Sequence, residues 1–308
     1  MGEISFRLKP IPPFRLDLTA WAIRRRPHNI IDHFDGEVYR RAVVLDGQPV
    51  AISVRQIAPA NSPAIEVIAS GPGASRKTSH CLEAMVDRIL GLAIDLRDFY
   101  RLARDDKALR PLVKRLRGMK PVRFPTNFEA FTNAVACQLV SLTAGMHVVN
   151  RIAQKYGLAC EFEGTRLHAC AEASDIARAE VEDLRALGLS RPKARYLIGL
   201  AQTATGSDRD FSSMESLDDA DAIAALSKFA GVGRWTAEYV LLRGLGRFHI
   251  FPGDDVGGRN GLQSYLGLGD RLDYEGVRKS LARWQAWGGF IYFHLLVNAL
   301  ADHGIVRA

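Results

Sequence analysis

The chain has 308 residues, 47% of them hydrophobic, a formal net charge of +7 and four cysteines. That length supports two or three packed domains without disulfide staples. It contains no apolar run of about 18 residues and no signal-type apolar stretch near Met1, which argues against a membrane span or secretion. Its basicity favours a polyanionic partner without choosing among nucleic acid, ribosome and membrane surface. Cys81, Cys137, Cys160 and Cys170 show no paired CxxC spacing and read as reduced thiols.

In chain order, residues 1–20 read as irregular, because Pro10, Pro12 and Pro13 oppose an early helix. Aromatic positions between Trp21 and Phe34 accompany Arg24, Arg25, Arg26 and His28. This arginine run reads as a solvated face, with a DNA-facing edge as the alternative. Val, Ile and Tyr then recur over residues 38–45, 50–54 and 65–68, predicting antiparallel strands around an Asp46-Gly47 turn. A helical pattern over 75–92 is sufficient to cover one sheet face. Shorter helical pieces follow at 95–102 and 107–116. Residues 1–120 are therefore predicted to form an α+β N-terminal domain.

Residues 121–254 read as mostly helical. Thr126 and Glu129 have capping-box spacing, and an apolar helical pattern runs from Phe128 towards Ile152 with a break around 141–145. Further helices are predicted at 174–187, 192–203 and 216–229. The last enters Phe229-Ala230-Gly231-Val232-Gly233, whose two glycines permit a tight turn with bare backbone N–H groups able to hold a phosphate. Beyond it Val232, Trp235, Ala237, Tyr239, Val240 and Leu242 keep a helical register, while Arg234 and Arg243 add charge. Trp235 and Tyr239, four apart, share a face as core residues also would.

Pro252-Gly253 ends the following segment and presents Asp254 and Asp255, either of which could serve chemistry or cap a helix. In residues 255–308, Val256 to Gly261 reads as a glycine-rich loop, followed by helices at 274–286 and 290–303. These last helices are expected to pack back near Phe34 or Thr126.

The string FAGVGRWTAEYVLLRG followed by FPGDD resembles the helix-hairpin-helix motif and aspartate segment of DNA base-excision glycosylases. Within that superfamily it is most similar to the bacterial DNA-3-methyladenine glycosylase II family. The resemblance implies a mostly α-helical glycosylase core behind the α+β domain and a partner that is double-stranded DNA containing a damaged base. It also implies a bacterial cytoplasmic monomer. Asp255 matches the family's catalytic aspartate, leaving Asp254 to hold the segment or cap the next helix. Trp235, Tyr239 and Trp287 match base-pocket positions, although Gly288-Gly289 departs from the family's bulkier, more polar continuation.

Gly231, Gly233 and Arg234 match DNA-docking positions. The segment 136–141 matches the one that supplies a wedge for the gap left by an extruded base. Leu139 is then the wedge, where pattern alone would make it core, and Gln138 could meet the orphaned base. The turn at 186–194 brings Arg191 and Lys193 to a phosphate or merely to solvent. In this family, carbonyl oxygens at positions matching Ser227, Phe229 and Val232 hold a monovalent cation. No cofactor is otherwise required, and the cysteines do not supply the iron–sulfur ligands of some relatives.

Bifunctional members carry a lysine where this chain has Trp235. The expected enzyme is therefore monofunctional, hydrolysing the N-glycosidic bond of alkylated purines such as 3-methyladenine and leaving an abasic site. Aromatic walls suit such cationic bases. The alternatives are a glycosylase specialised for another damaged base and a non-catalytic DNA-binding protein.

Overall fold

The computed structural model describes residues 2–206 and 211–307. Strands β1 (Gly2–Leu8), β2 (His33–Phe34), β3 (Val38–Leu45), β4 (Gln48–Gln56) and β5 (Ile65–Gly71) form one antiparallel sheet in the order β1-β5-β4-β3-β2. Asp46 and Gly47 close the β3–β4 hairpin with φ of 50° and 70°, the left-handed pair that matches strand twist. The irregular segment expected at 1–20 is instead β1 followed by α1 (Leu16–Arg24). Strand β1 forms because Ile4 and Phe6 alternate with polar residues and pair with Ala69 and Val67 of distant β5. The prolines lie between these two elements, where neither a ladder nor a helix needs their N–H groups.

Helices α2 (Ser79–Leu90), α3 (Arg97–Asp105) and α4 (Leu109–Arg115) precede α5 (Asn127–Cys137) and α6 (Leu142–Tyr156). Thr126 and Ser141 cap the latter two by accepting the N–H groups of Glu129 and Ala144. A hairpin of β6 (Ala159–Phe162) and β7 (Thr165–His168), absent from the sequence reading, packs beside β3 and β4. The helix expected at 174–187 is split into α7 (Ala173–Ile176) and α8 (Val181–Ala186). It is followed by α9 (Arg191–Thr205), α10 (Asp219–Leu226) and α11 (Arg234–Arg243).

The expected loop after Asp255 is helix α12 (Val256–Leu266), and α13 (Tyr274–Leu281) and α14 (Gly288–Asp302) complete the chain. Glycine in α12 marks close packing rather than a loop, since a Cβ on Gly258 would lie 2.7 Å from the Tyr292 ring. Helix α14 packs on α1, α4 and α12, whereas α5, beside Thr126, packs on α11.

One apolar core runs from Phe14 to Val306, across the expected divisions at 120/121 and 254/255. A buried ionic group also joins sheet to helices. Arg41 of β3 donates to Asp32 at 3.0 Å and to both oxygens of Glu129 on α5 at 2.9 Å, while the Tyr39 hydroxyl donates to Asp32 at 2.7 Å. Removing one member would strand buried charge, so the sheet and helical core are held in one relative position. Among the described residues, no helix is long and apolar enough to cross a membrane.

Candidate active site

The α10–α11 turn is built on backbone requirements. Gly231 has a φ of 78°, and a Cβ there would lie 2.1 Å from the Tyr196 ring, so both conformation and packing demand glycine. The Val232 N–H closes the turn onto the Phe229 carbonyl at 3.1 Å. Gly233, at the N-terminus of α11, has nothing within 4 Å of where a Cβ would stand. This leaves its backbone accessible from outside, as a phosphate-docking turn requires.

Helix α11 then holds the aspartate segment by three tethers. Arg234 Nε donates to Asp254 at 2.8 Å, and its guanidinium lies 3.7 Å from the centroid of Tyr274. Trp235 Nε1 donates to Asp255 Oδ2 at 3.0 Å. Buried Glu238 accepts the Gly253 N–H at 3.1 Å and the Tyr274 hydroxyl at 2.7 Å. Burial pushes the Glu238 carboxyl above the usual range, while these two hydrogen bonds pull the other way.

Asp255 rather than Asp254 caps α12, its Oδ1 accepting the Gly258 N–H at 2.6 Å. Asp254 is instead an ion-pair partner for Arg234. Both Asp255 oxygens are thereby oriented, one from each flanking helix.

Asp255 opens into a cavity of about 870 Å³, also lined by Trp235, Tyr239, Tyr292 and the α5–α6 turn. Trp235 and Tyr239 lie on one wall, ring centroids 5.5 Å apart. Trp287 lies outside this cavity. Matched to the base pocket by resemblance, its ring instead packs on Phe99 at 5.3 Å, in a 3-10 turn that precedes α14 and runs into the departing Gly288-Gly289. Tyr292, Leu295 and Leu296 of α14 supply the opposite wall.

The α5–α6 turn carries Leu139 at 103% of full exposure, with a left-handed φ of 54°. An apolar side chain held entirely in solvent by an unfavourable backbone has no role in the core. Gln138 is partly committed: its amide nitrogen donates to the Gly231 carbonyl at 2.8 Å and the Thr236 hydroxyl at 3.0 Å, tying the Leu139 turn to the hairpin. Lys193 braces the same turn by donating to the Gln138 carbonyl, and Arg191 pairs with Glu182.

The larger departure from the sequence reading is Arg25. Rather than belonging to a solvated face, it is 3% exposed and lines the cavity. It donates to the Tyr239 hydroxyl at 2.8 Å and to Asn133 at 2.5 Å. Burial raises the Tyr239 phenol, and Arg25 and Arg243 lower it in part; the net shift is upward, so the phenol stays protonated. Sequence reasoning also missed Tyr292 and Glu238. The signal for Glu238 was a lone carboxylate between Ala237 and Tyr239 in an otherwise apolar run.

A glycine turn open to a phosphate, a carboxylate fixed by the helix after it and an exposed leucine beside an aromatic cavity define a helix-hairpin-helix protein. The family model described as "HhH-GPD superfamily base excision DNA repair protein" matches residues 132–286, and the chain belongs to that superfamily. DNA-3-methyladenine glycosylase from Bacillus subtilis is 26% identical over 201 residues, covering 65% of this chain and 66% of that protein. DNA-3-methyladenine glycosylase 2 from Escherichia coli is 28% identical over 169 residues, 54% of this chain and 56% of that one. The matched segment thus spans less than two thirds of either relative. A solved 3-methyladenine DNA glycosylase from Archaeoglobus fulgidus superposes with a TM-score of 0.83 at 25% identity, covering 98% of this chain and 100% of that one.

Proposed function

We propose that the protein is a monofunctional DNA glycosylase that extrudes alkylated purines such as 3-methyladenine from double-stranded DNA and hydrolyses their N-glycosidic bond. The observation that carries this reading is Asp255, fixed by Trp235 and Gly258 on the wall of a cavity whose rim bears Leu139. As the base leaves with the bonding pair, positive charge develops on the deoxyribose. The Asp255 carboxylate stabilises that charge, and water completes the abasic sugar. Leu139 fills the vacated stack while the hairpin holds backbone phosphate. A merely DNA-binding role needs none of the three tethers on the aspartate segment.

The decisive experiment is base release from duplexes containing 3-methyladenine or 7-methylguanine by the wild type and by Asp255→Asn. The variant should bind abasic DNA normally while losing most excision; full retention of excision rejects the assignment. Among the described residues no lysine lines the cavity, and Trp235 stands where a Schiff-base lysine would. Borohydride should therefore trap no covalent adduct, and an adduct would refute monofunctionality.

We further infer a monomer acting in the cytoplasm, which gel filtration with and without one lesion-bearing duplex tests by its stoichiometry. The turn carbonyls of Ser227, Phe229 and Val232 are hard, neutral oxygen donors suited to a monovalent cation that would add positive charge towards phosphate. Replacing potassium with tetramethylammonium at constant ionic strength should weaken abasic-DNA binding; equal affinity in the two salts rejects the cation.

A further inference from the structure

We propose that Lys193 and Gln138 are positioning residues that hold the Leu139 turn in its duplex-entering conformation before DNA is met, so that preference for a lesion depends on them while docking on ordinary duplex does not. This rests on the glycosylase reading above. Leu139 keeps a left-handed φ of 54° at 103% exposure, so its own side chain packs on nothing that would hold it there. Such a conformation persists only where the surroundings over-determine it, and the neighbouring residue, Gln138, is where they do so.

Gln138 is held from two sides. Its amide nitrogen donates to the Gly231 carbonyl at 2.8 Å and to the Thr236 hydroxyl at 3.0 Å, which uses both of its N–H groups. Its backbone carbonyl accepts from Lys193 Nζ at 2.5 Å. The turn is thereby bolted to the hairpin by one contact and to α9 by the other. With both amide hydrogens spent on the protein, Gln138 has none to offer an orphaned base unless the hairpin is released.

The placement of Lys193 points to bracing rather than to phosphate. A cation in the first turn of a helix opposes that helix's dipole, and α9 has no acidic residue there to offset it. The same ammonium sits on the C-cap carbonyl of α5, where the dipole favours positive charge. Burial holds it below the ordinary lysine range, as befits a group drawn into the protein. A duplex whose bases are all stacked asks nothing of the wedge, whereas a duplex with a vacancy takes Leu139 into the stack. A wedge already in place enters without a further ordering cost.

The test is binding of Lys193→Met, Lys193→Arg and Leu139→Ala, and of Lys193→Met combined with Leu139→Ala, to an intact duplex and to the same duplex carrying an abasic-site analogue, each across a series of salt concentrations. In Lys193→Met the preference for the abasic over the intact duplex should fall on the order of 10-fold, as expected when a charge-assisted hydrogen bond is lost, and Lys193→Arg should restore part of it. Intact-duplex affinity and the salt slope should stay as in the wild type. In the Leu139→Ala background Lys193→Met should cost nothing more, because the two residues act as one unit. A direct phosphate contact gives the opposite pattern: equal losses on both duplexes, a salt slope lower by about 1 and additive costs, and this overturns the proposal. If Lys193→Met does not fold, Gln138→Met goes through the same cycle with Leu139→Ala, and additive costs there overturn it equally. A wild type that does not prefer the abasic duplex at all overturns the glycosylase reading along with it.

Discussion

Replacing Trp235 with phenylalanine keeps an aromatic ring beside Tyr239 but removes the indole N–H that donates to Asp255 Oδ2 at 3.0 Å. The other anchor, the Gly258 N–H on Oδ1 at 2.6 Å, is a backbone group and survives. Asp255 would remain the cap of α12 yet gain freedom to rotate its outer oxygen. A hydrogen bond to a charged group contributes about 1.5–3 kcal/mol, and its complete loss in the transition state corresponds to roughly 10- to 150-fold in rate. With one of two anchors retained, we expect the lower part of that range, about 10- to 30-fold.

An opposing effect is real, since an oxygen relieved of its donor carries more negative charge towards the sugar. Misplacement should outweigh it, because a shift of about 1 Å at a reacting centre costs on the order of 100-fold. Single-turnover release of 3-methyladenine measures the net result, with abasic-DNA affinity as the control for docking. A rate equal to or above that of the wild type would refute the positioning role of Trp235.

Leu139→Gly should separate stability from function. It removes the left-handed strain at φ 54°, a gain of about 1 kcal/mol, yet should weaken binding to lesion-bearing duplex at least about 10-fold, as expected when a stacking wedge is lost; undiminished affinity counts against the wedge. Gly231→Ala should cost about 2–3 kcal/mol, from a φ of 78° and a Cβ placed 2.1 Å from the Tyr196 ring. Thermal melting checks this, and an unchanged midpoint would contradict the hairpin geometry.

Buried His294, its ring 4.5 Å from that of Phe290, is held down to about 4 from an ordinary 6.5 by burial, partly offset by the Phe290 carbonyl. The folded state refuses a proton that the unfolded chain accepts below pH 6.5. Stability should therefore fall as pH drops from 6.5 to about 4, by about 3 kcal/mol in total. His294→Gln should flatten that part of the curve, and equal slopes in variant and wild type would exclude this histidine as the cause.

The parts of the site that the sequence displays openly are those built from contiguous residues. Gly231, Gly233, Trp235 and Tyr239 lie within one turn and one helix, and Asp255 follows at a spacing set by a short connection, so local pattern sufficed. Strand β1 escaped notice because its ladder partner, β5, is remote in the chain and only tertiary pairing turns alternation into a strand. Helix α12 was read as a loop because three glycines usually punctuate; here one of them makes room for Tyr292. Trp287, matched to the pocket by resemblance alone, lies against Phe99 in a 3-10 turn, where Gly288-Gly289 already departs from the family's continuation. Arg25 is the instructive miss. Nothing local distinguishes it from Arg24 or Arg26, and only the arrival of Tyr239 and Asn133 from distant helices turns a solvent residue into a pocket residue.

The packing of α14 on α1 decides what fixes the shape of the cavity. The cavity takes one wall from the end of α1, through Arg25, and another from α14, through Tyr292 and Leu296. The two walls are therefore set by a single helix–helix seam rather than by the hairpin, so a substitution that shifts α14 on α1 should reshape the cavity while leaving the α10–α11 turn and the tethers of Asp255 in place.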